Sequence, residues 1–275
     1  MQANRWHRYV SRLWLGGVFL FFYLPLMFLV VFSFNSTRQD SQFTGFSLRW
    51  YLALGQDTRL VEGFLLSLNV ALLSATLATV LATLAAYALI RFGAFKGRSL
   101  FNAMLSSPLV MPEVIIGLSL LLLFVGMERM LGWPERGATT IILGHALLGM
   151  AYATVVVQSR LTEMDRSIEE AALDLGCRPY QVFFLVTLPN ISQALVAAWL
   201  LTFTLSFDDV VISEFLSGPG VTTLPQVIFS YARRGVNPSI YAAATLLMAV
   251  VSLAVVLYGV HTSRQMRREA YRPLD

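Results

Sequence analysis

Lysine is nearly missing from this chain. Among 275 residues there is one, Lys96, beside 19 arginines. A phosphate-cradling P-loop needs Gly-Lys-Ser/Thr, in which the lysine reaches the phosphates. Lys96 lies between Phe95 and Gly97, so these residues hold no nucleotide site of that kind. Cysteine is as scarce: Cys177 stands alone, which excludes an intrachain disulfide and a thiolate zinc cluster. His7, His145 and His261 are scattered without HExxH spacing. Neither a metal nor a cofactor is expected. No nucleophile and base stand at helical spacing, which argues against an intramembrane enzyme.

Charge is also short. Only 13% of the residues are Asp, Glu, Lys or Arg, about half the fraction of a soluble domain. The net charge of +4 does not gather into a basic stripe. It sits at the ends of apolar runs, where membrane orientation is set, so nucleic acid is not an expected partner.

Apolar residues are abundant, at 56% of the chain, and they come in long runs. A span needs about twenty apolar residues to cross ~30 Å of hydrocarbon. Six intervals meet that length: Leu13 to Thr37, Gly63 to Ile90, Ser99 to Met127, Gly137 to Ser159, Pro179 to Phe207 and Gly235 to Ser263. The expected fold is therefore an all-α integral membrane protein with a six-helix transmembrane domain over residues 13–263. Phe215 to Ala232 is read as an external loop, because Gly218 to Gly220 and Leu224-Pro225 interrupt a helix twice. The first run is long for a signal peptide and lacks a small-x-small cleavage site, so it is expected to stay as an anchor. Alternating the ends gives 13 Arg/Lys on one side against 7 on the other. Positive-inside then puts both tails, 1–12 and 264–275, in the cytoplasm.

Within the spans, small residues form two faces of the second helix: Ser67, Ala71, Ala75 and Thr79, then Ser74, Ala78, Ala82 and Ala86. Such faces let helices approach closely. Ionisable side chains in a span are costly and mark function by default. Glu113 would lie 14 residues into the third span, about 21 Å along a continuous helix, with Pro108 and Pro112 loosening the turn before it. Asp208, Asp209 and Glu214 gather after the fifth span and would favour a cation. At most one of Asp208 and Asp209 faces the path, since adjacent helical residues point apart. Phe203, Phe207, Trp199 and Tyr152 are candidates for lining that path or for cation-π contact. His145 is read as a hydrogen-bonded structural residue.

The loop of residues 160–187 differs from a plain connector. Ile168, Ala171, Ala172 and Leu175 recur at helical spacing opposite Glu163, Glu169, Glu170 and Asp174, and Gly176 ends the helix before Pro179. A short helix with a small apolar face suits a groove in a partner. The alternative, an amphipathic helix on lipid, would be rich in Lys and Arg, and this one is acidic.

Glu170-Ala171-Ala172, Gly176, Val186 and Leu188-Pro189 reproduce the spacing of the EAA signature, so the chain resembles the permeases of binding-protein-dependent ABC importers. Val186 replaces the usual isoleucine. The resemblance implies the type I importer permease fold, without enzymatic activity of its own. It also implies a heterodimer with a homologous second permease, a cytoplasmic dimer of a separate ATPase, a periplasmic binding protein and a bacterial inner-membrane location. The loop would be a coupling helix seated in the ATPase: Glu170 pairs with a basic group, Ala171 and Ala172 allow close approach, Gly176 turns the chain and Pro189 starts the fifth span.

From Ser33-Phe34-Asn35-Ser36 to Arg234-Gly235-Val236-Asn237-Pro238, the chain is also similar to the polyamine branch of that family, in particular the second permease of putrescine importers. Segments such as Pro108 to Phe124, Arg166 to Gly176 and Thr204 to Pro225 carry the likeness. Glu113 stands where that branch implies aspartate, which leaves both putrescine and spermidine open. Glu113 and Asp209 are the expected guides of the amine. The alternatives are an importer of another small cationic or organic solute, and a secondary transporter, which would call for inverted repeats and broken helices.

Overall fold

The structure, a computed structural model, describes residues 3–37, 43–233, 239–250, 252–253 and 256, with side chains from Tyr9 onward. Among the described residues the regular elements are helices, joined by turns and loops, with one isolated antiparallel bridge between Asn35 and Phe46. In chain order the helices are α1 (Ala3–Phe32), α2 (Arg49–Leu54), α3 (Thr58–Arg91), α4 (Arg98–Ser106), α5 (Glu113–Leu131) and α6 (Ala138–Glu163). Then follow α7 (Ser167–Asp174), α8 (Pro179–Asn190), α9 (Ser192–Phe207), α10 (Val211–Leu216), α11 (Leu224–Arg233) and α12 (Ser239–Val250). Four are long and apolar enough to cross a membrane: α1 over Tyr9–Phe32, α3, α5 and α6. The bent pair α8–α9 makes a fifth if it counts as one span. Of the expected sixth span, α12 is the apolar helix described, and the tail 264–275 lies outside the described residues.

The chain divides into two compact units, residues 1–61 with 228–275, and residues 62–227. In the first, α1 leaves its apolar side chains uncovered, Leu13 and Trp14 at 77% and 75% exposure, as a lipid-facing helix does. The turn after it is fixed by the Trp50 indole N–H donating to the Asn35 carbonyl at 2.7 Å and by Ser33 Oγ 2.6 Å from the Tyr51 hydroxyl. α1 starts at Ala3, so residues 3–12 of the expected tail belong to the first helix.

The second unit is built on the small-residue faces of α3. Ala71, Ala75, Ala78, Ala82 and Ala86 are all buried, and both predicted faces are in use. A Cβ on Gly149 of α6 would stand 3.2 Å from Ala78 Cβ and 3.1 Å from Thr202 of α9, so small residues set how closely these three helices approach. One core holds Val70, Ile116, Leu120, Phe124, Ile141, Leu148, Ile212 and Leu216 from α3, α5, α6 and α10. A second, toward the loop end, holds Ala82, Ala86, Val157, Leu161, Ile191 and Ala198.

Three expectations about elements are corrected. The third span is not one helix: Pro108 and Pro112 stop it, a 3-10 turn covers Ser107–Leu109, and α5 starts afresh at Glu113. The fifth is not one straight helix: it bends by 71° between α8 and α9, and the two pass as a span only as a pair. The segment after Phe215, expected as a loop, contains helix α11. Pro225 opens that helix instead of breaking it, because the first turn has no N–H partner for proline to remove.

Beyond α10 the chain passes so close to the α5–α6 turn that a Cβ on Gly218 would lie 2.0 Å from the Arg136 carbonyl oxygen. Arg136 itself donates to the Ser217 carbonyl at 2.9 Å. Backbone cannot retreat as a flexible side chain does, so Gly218→Ala should destabilise by more than about 2 kcal/mol. A lowered unfolding midpoint of the purified chain in detergent is the measurement; an unchanged midpoint would contradict this packing.

Candidate functional site: the cytoplasmic loop and the α6–α9 interface

The loop begins where α6 ends. Asp165 accepts the Ser167 N–H at 3.0 Å, which starts α7 and holds the Asp165 carboxyl below its usual range, the backbone bond being the main cause and the Ser167 side chain the second. α7 closes as a helix of this sequence should. Gly176 takes φ +89, its N–H donates to the Leu173 carbonyl at 2.9 Å and the Cys177 N–H to the Ala172 carbonyl at 3.1 Å, the paired bonds of a Schellman ending.

What α7 buries differs from the sequence expectation. Glu169, assigned to the polar face, is the buried residue of this helix, at 8% exposure. Its Oε2 is 2.7 Å from Arg91 Nε at the end of α3, and its Oε1 accepts the Thr187 hydroxyl at 2.6 Å. Most of the expected apolar face turns outward: Ile168 and Leu175 are 45% and 86% exposed and Ala171 is exposed, while Ala172 is half-buried; Glu170 and Leu173 are exposed beside them. Val186 and Leu188 pack on the lower core around Ile191, while Pro189 is exposed at the bend. Arg91 and Thr187 were not singled out from sequence. The signal was present, since Arg91 is the first charge after the second apolar run and Thr187 the polar residue just before Leu188-Pro189.

The second cluster lies between α6, α9 and α10. His145 Nδ1 is 2.7 Å from Ser206 Oγ, its Nε2 is 3.0 Å from Asp209 Oδ2, and Ser213 Oγ is 3.2 Å from Nε2. Ser74 of α3 donates to Ser206 Oγ at 2.9 Å. Asp209 also accepts the Ile212 and Ser213 N–H groups, at 3.3 and 2.8 Å, and so caps α10. Its side chain is 8% exposed. Asp209, expected as a guide of the amine, is buried in this structure with its carboxylate bonded to His145 and to the start of α10. His145 is hydrogen-bonded, as expected.

Asp208, adjacent, is exposed, so the two carboxylates do point apart. On the same helix Trp199, Phe203 and Phe207 stack at i, i+4 spacing, with ring centroids 5.3 and 5.8 Å apart. Trp199 is held by its N–H donating to Thr76 Oγ1 at 3.1 Å, and Phe64 meets Phe207 edge-on at 6.2 Å. The ladder ends beside Asp208. Tyr152 packs instead against the upper core, and Glu214 accepts from the Gln226 amide at 3.1 Å. Glu113 is exposed as the first residue of α5, where the helix dipole favours an acid. It therefore stands at the start of a helix and not in the middle of one, and the structure does not bring it together with Asp208.

Apolar helices long enough to span, a bent helix pair and a short helix α7 with an exposed outer face fit one class, the membrane permease of an ABC importer. The fold matches a permease in the crystal structure of a bacterial alginate ABC transporter bound to its alginate-loaded periplasmic protein, with TM-score 0.72, 19% identity and 96% of each chain covered. A methionine ABC transporter, MetNI, matches with TM-score 0.59 and 19% identity, over 75% of this chain and 95% of that one. The chain belongs to the family of binding-protein-dependent transport system inner membrane components, which matches residues 78–268. Its relatives include the putrescine transport system permease protein PotI of Escherichia coli (strain K12), 52% identical over 236 residues, 86% of this chain and 84% of that protein. The spermidine/putrescine transport system permease protein PotC of the same organism is 36% identical over 252 residues, 90% and 93% of the two chains.

Proposed function

We propose that this chain is one of two permease subunits of an ATP-driven importer that carries a polyamine, putrescine first, across the bacterial inner membrane. The observation that carries the energy-coupling half is the exposed face of α7, with Glu170, Ala171 and Leu175 uncovered beside Ile168. An apolar and acidic face left open on a helix anchored at its base is suited to a partner's groove. The substrate half draws on the 52% identity to a putrescine permease. Partners follow from the same reading: a homologous permease, a cytoplasmic ATPase dimer and a periplasmic polyamine-binding protein. Six spans with both termini in the cytoplasm agree with the Arg/Lys count of 13 against 7.

For the amine, the ladder of Trp199, Phe203 and Phe207 offers ring faces to methylenes and ammonium groups, and Asp208, the next residue in the chain, is an exposed carboxylate. The complex reconstituted in vesicles with binding protein should take up putrescine only when ATP is supplied. Uptake driven by a proton gradient without ATP would contradict the reading. Asp208→Asn should lower uptake about tenfold, the order of one lost charge contact, with assembly unchanged; full uptake would remove Asp208 from the path.

A further inference from the structure

Three elements meet at Glu169. Arg91 is the last residue of α3, Glu169 lies in α7 and Thr187 in α8. The ion pair's side chains are 8% and 10% exposed, and Thr187 is fully buried. Tyr87, Leu173 and Val182 stand around the pair. A second strap runs alongside: Arg166, just before α7, donates to the Ile90 carbonyl at 2.5 Å, one of the last-turn carbonyls that α3 leaves open.

Stability alone does not account for this pair. Taking a carboxylate and a guanidinium out of water costs as much as their attraction returns, unless every remaining donor is satisfied. Arg91 Nη2 has no acceptor among the described residues, so the pair is not fully satisfied. What such a pair does supply is a fixed register between the elements that carry it. α7 needs one. It is two turns long, its outer side chains are exposed, and Glu169 is its buried residue. A force applied to the outer face of α7 therefore reaches α3 through Glu169 and the Arg166 strap, alongside the chain's own connections to α6 and α8.

We infer that Arg91, Glu169 and Thr187 form the linkage that converts displacement of α7 into movement of α3 and α8. The inference rests on the reading of the chain as an ATP-driven permease. The three are positioning residues, since they act through α7 and touch neither solute nor nucleotide. Glu169→Gln keeps the shape and the Thr187 bond but removes the charge that holds Arg91. Thr187→Val removes the other arm.

The test measures uptake and ATP hydrolysis together, in vesicles containing the whole importer. Glu169→Gln should lower solute moved per ATP by about tenfold, and Thr187→Val by about threefold, with the amount of assembled complex unchanged. Arg91→Gln combined with Glu169→Gln should cost no more than either alone, since linked residues do not add. That neutral pair leaves no orphan charge, so it carries the same ratio test where Glu169→Gln fails to assemble. A residue with only a structural role would lower uptake and hydrolysis together. An unchanged ratio overturns the linkage. If the wild-type importer moves solute without ATP, the permease reading fails and the linkage falls with it; if wild type couples and the variants couple equally well, the linkage alone falls.

Discussion

Ala171→Trp abolishes ATP-driven uptake while the chain accumulates and inserts as wild type does. Ala171 is exposed on α7, next to Leu175 at 86% exposure, so an indole there replaces an uncovered side chain and not one packed among the described residues. Any loss must arise where a partner approaches. Bulk forced into the packed centre of an interface removes most of its affinity, so uptake should fall by about a hundredfold or more. Glu170→Gln, which keeps the shape and removes the charge, should fall by about tenfold. Uptake by the complex, with the quantity of chain in the membrane as control, is the measurement. An Ala171→Trp permease that transports at the wild-type rate would mean that this face of α7 is free in the working importer.

The second large effect is on stability, and it separates two neighbouring carboxylates. Asp209→Ala removes the cap of α10 together with the carboxylate partner of His145, leaving the Ile212 and Ser213 N–H groups without that acceptor and His145 Nε2 with Ser213 Oγ alone. Breaking a buried pair and a cap together should cost roughly 3 kcal/mol or more. The purified chain should show a clearly lowered unfolding midpoint. Asp208→Asn, exposed and one residue away, should leave that midpoint unchanged. If the two effects were reversed, Asp209 would be the solute-facing acid and the capping role assigned to it would be wrong.

Composition and spacing made the class legible, because a coupling loop is a local pattern. Glu170, Ala171, Ala172, Gly176, Leu188 and Pro189 lie within one stretch, and the helix stop at Gly176 follows from its left-handed conformation. The small faces of α3 were legible for the same reason: helical spacing alone groups Ala71 with Ala75 and Ala78 with Ala82. What could not be read locally was which acid turns inward. Glu169 and Glu170 are adjacent and chemically alike, and only Arg91, far back in the chain, decides that the first is buried. Asp209 is similar. Sequence presents it as a free carboxylate at the end of a span, whereas His145, 64 residues earlier, claims it. Pro112 was seen as a weak point, but a weak point and a new helix beginning at Glu113 look the same before the turn around Ser107–Leu109 is known.

The side of the membrane on which the α7 loop lies can be interrogated through the chain's sole cysteine. Cys177 follows Gly176 at the end of α7 and is half-buried. A bifunctional thiol crosslinker applied to inner-membrane vesicles with the loop side out should join Cys177 to the importer's ATPase, and a membrane-impermeant maleimide should label it there but not from outside intact spheroplasts. Labelling from the periplasmic face, or crosslinks that never include the ATPase, would contradict the assignment of this loop as the point where the motor grips the permease.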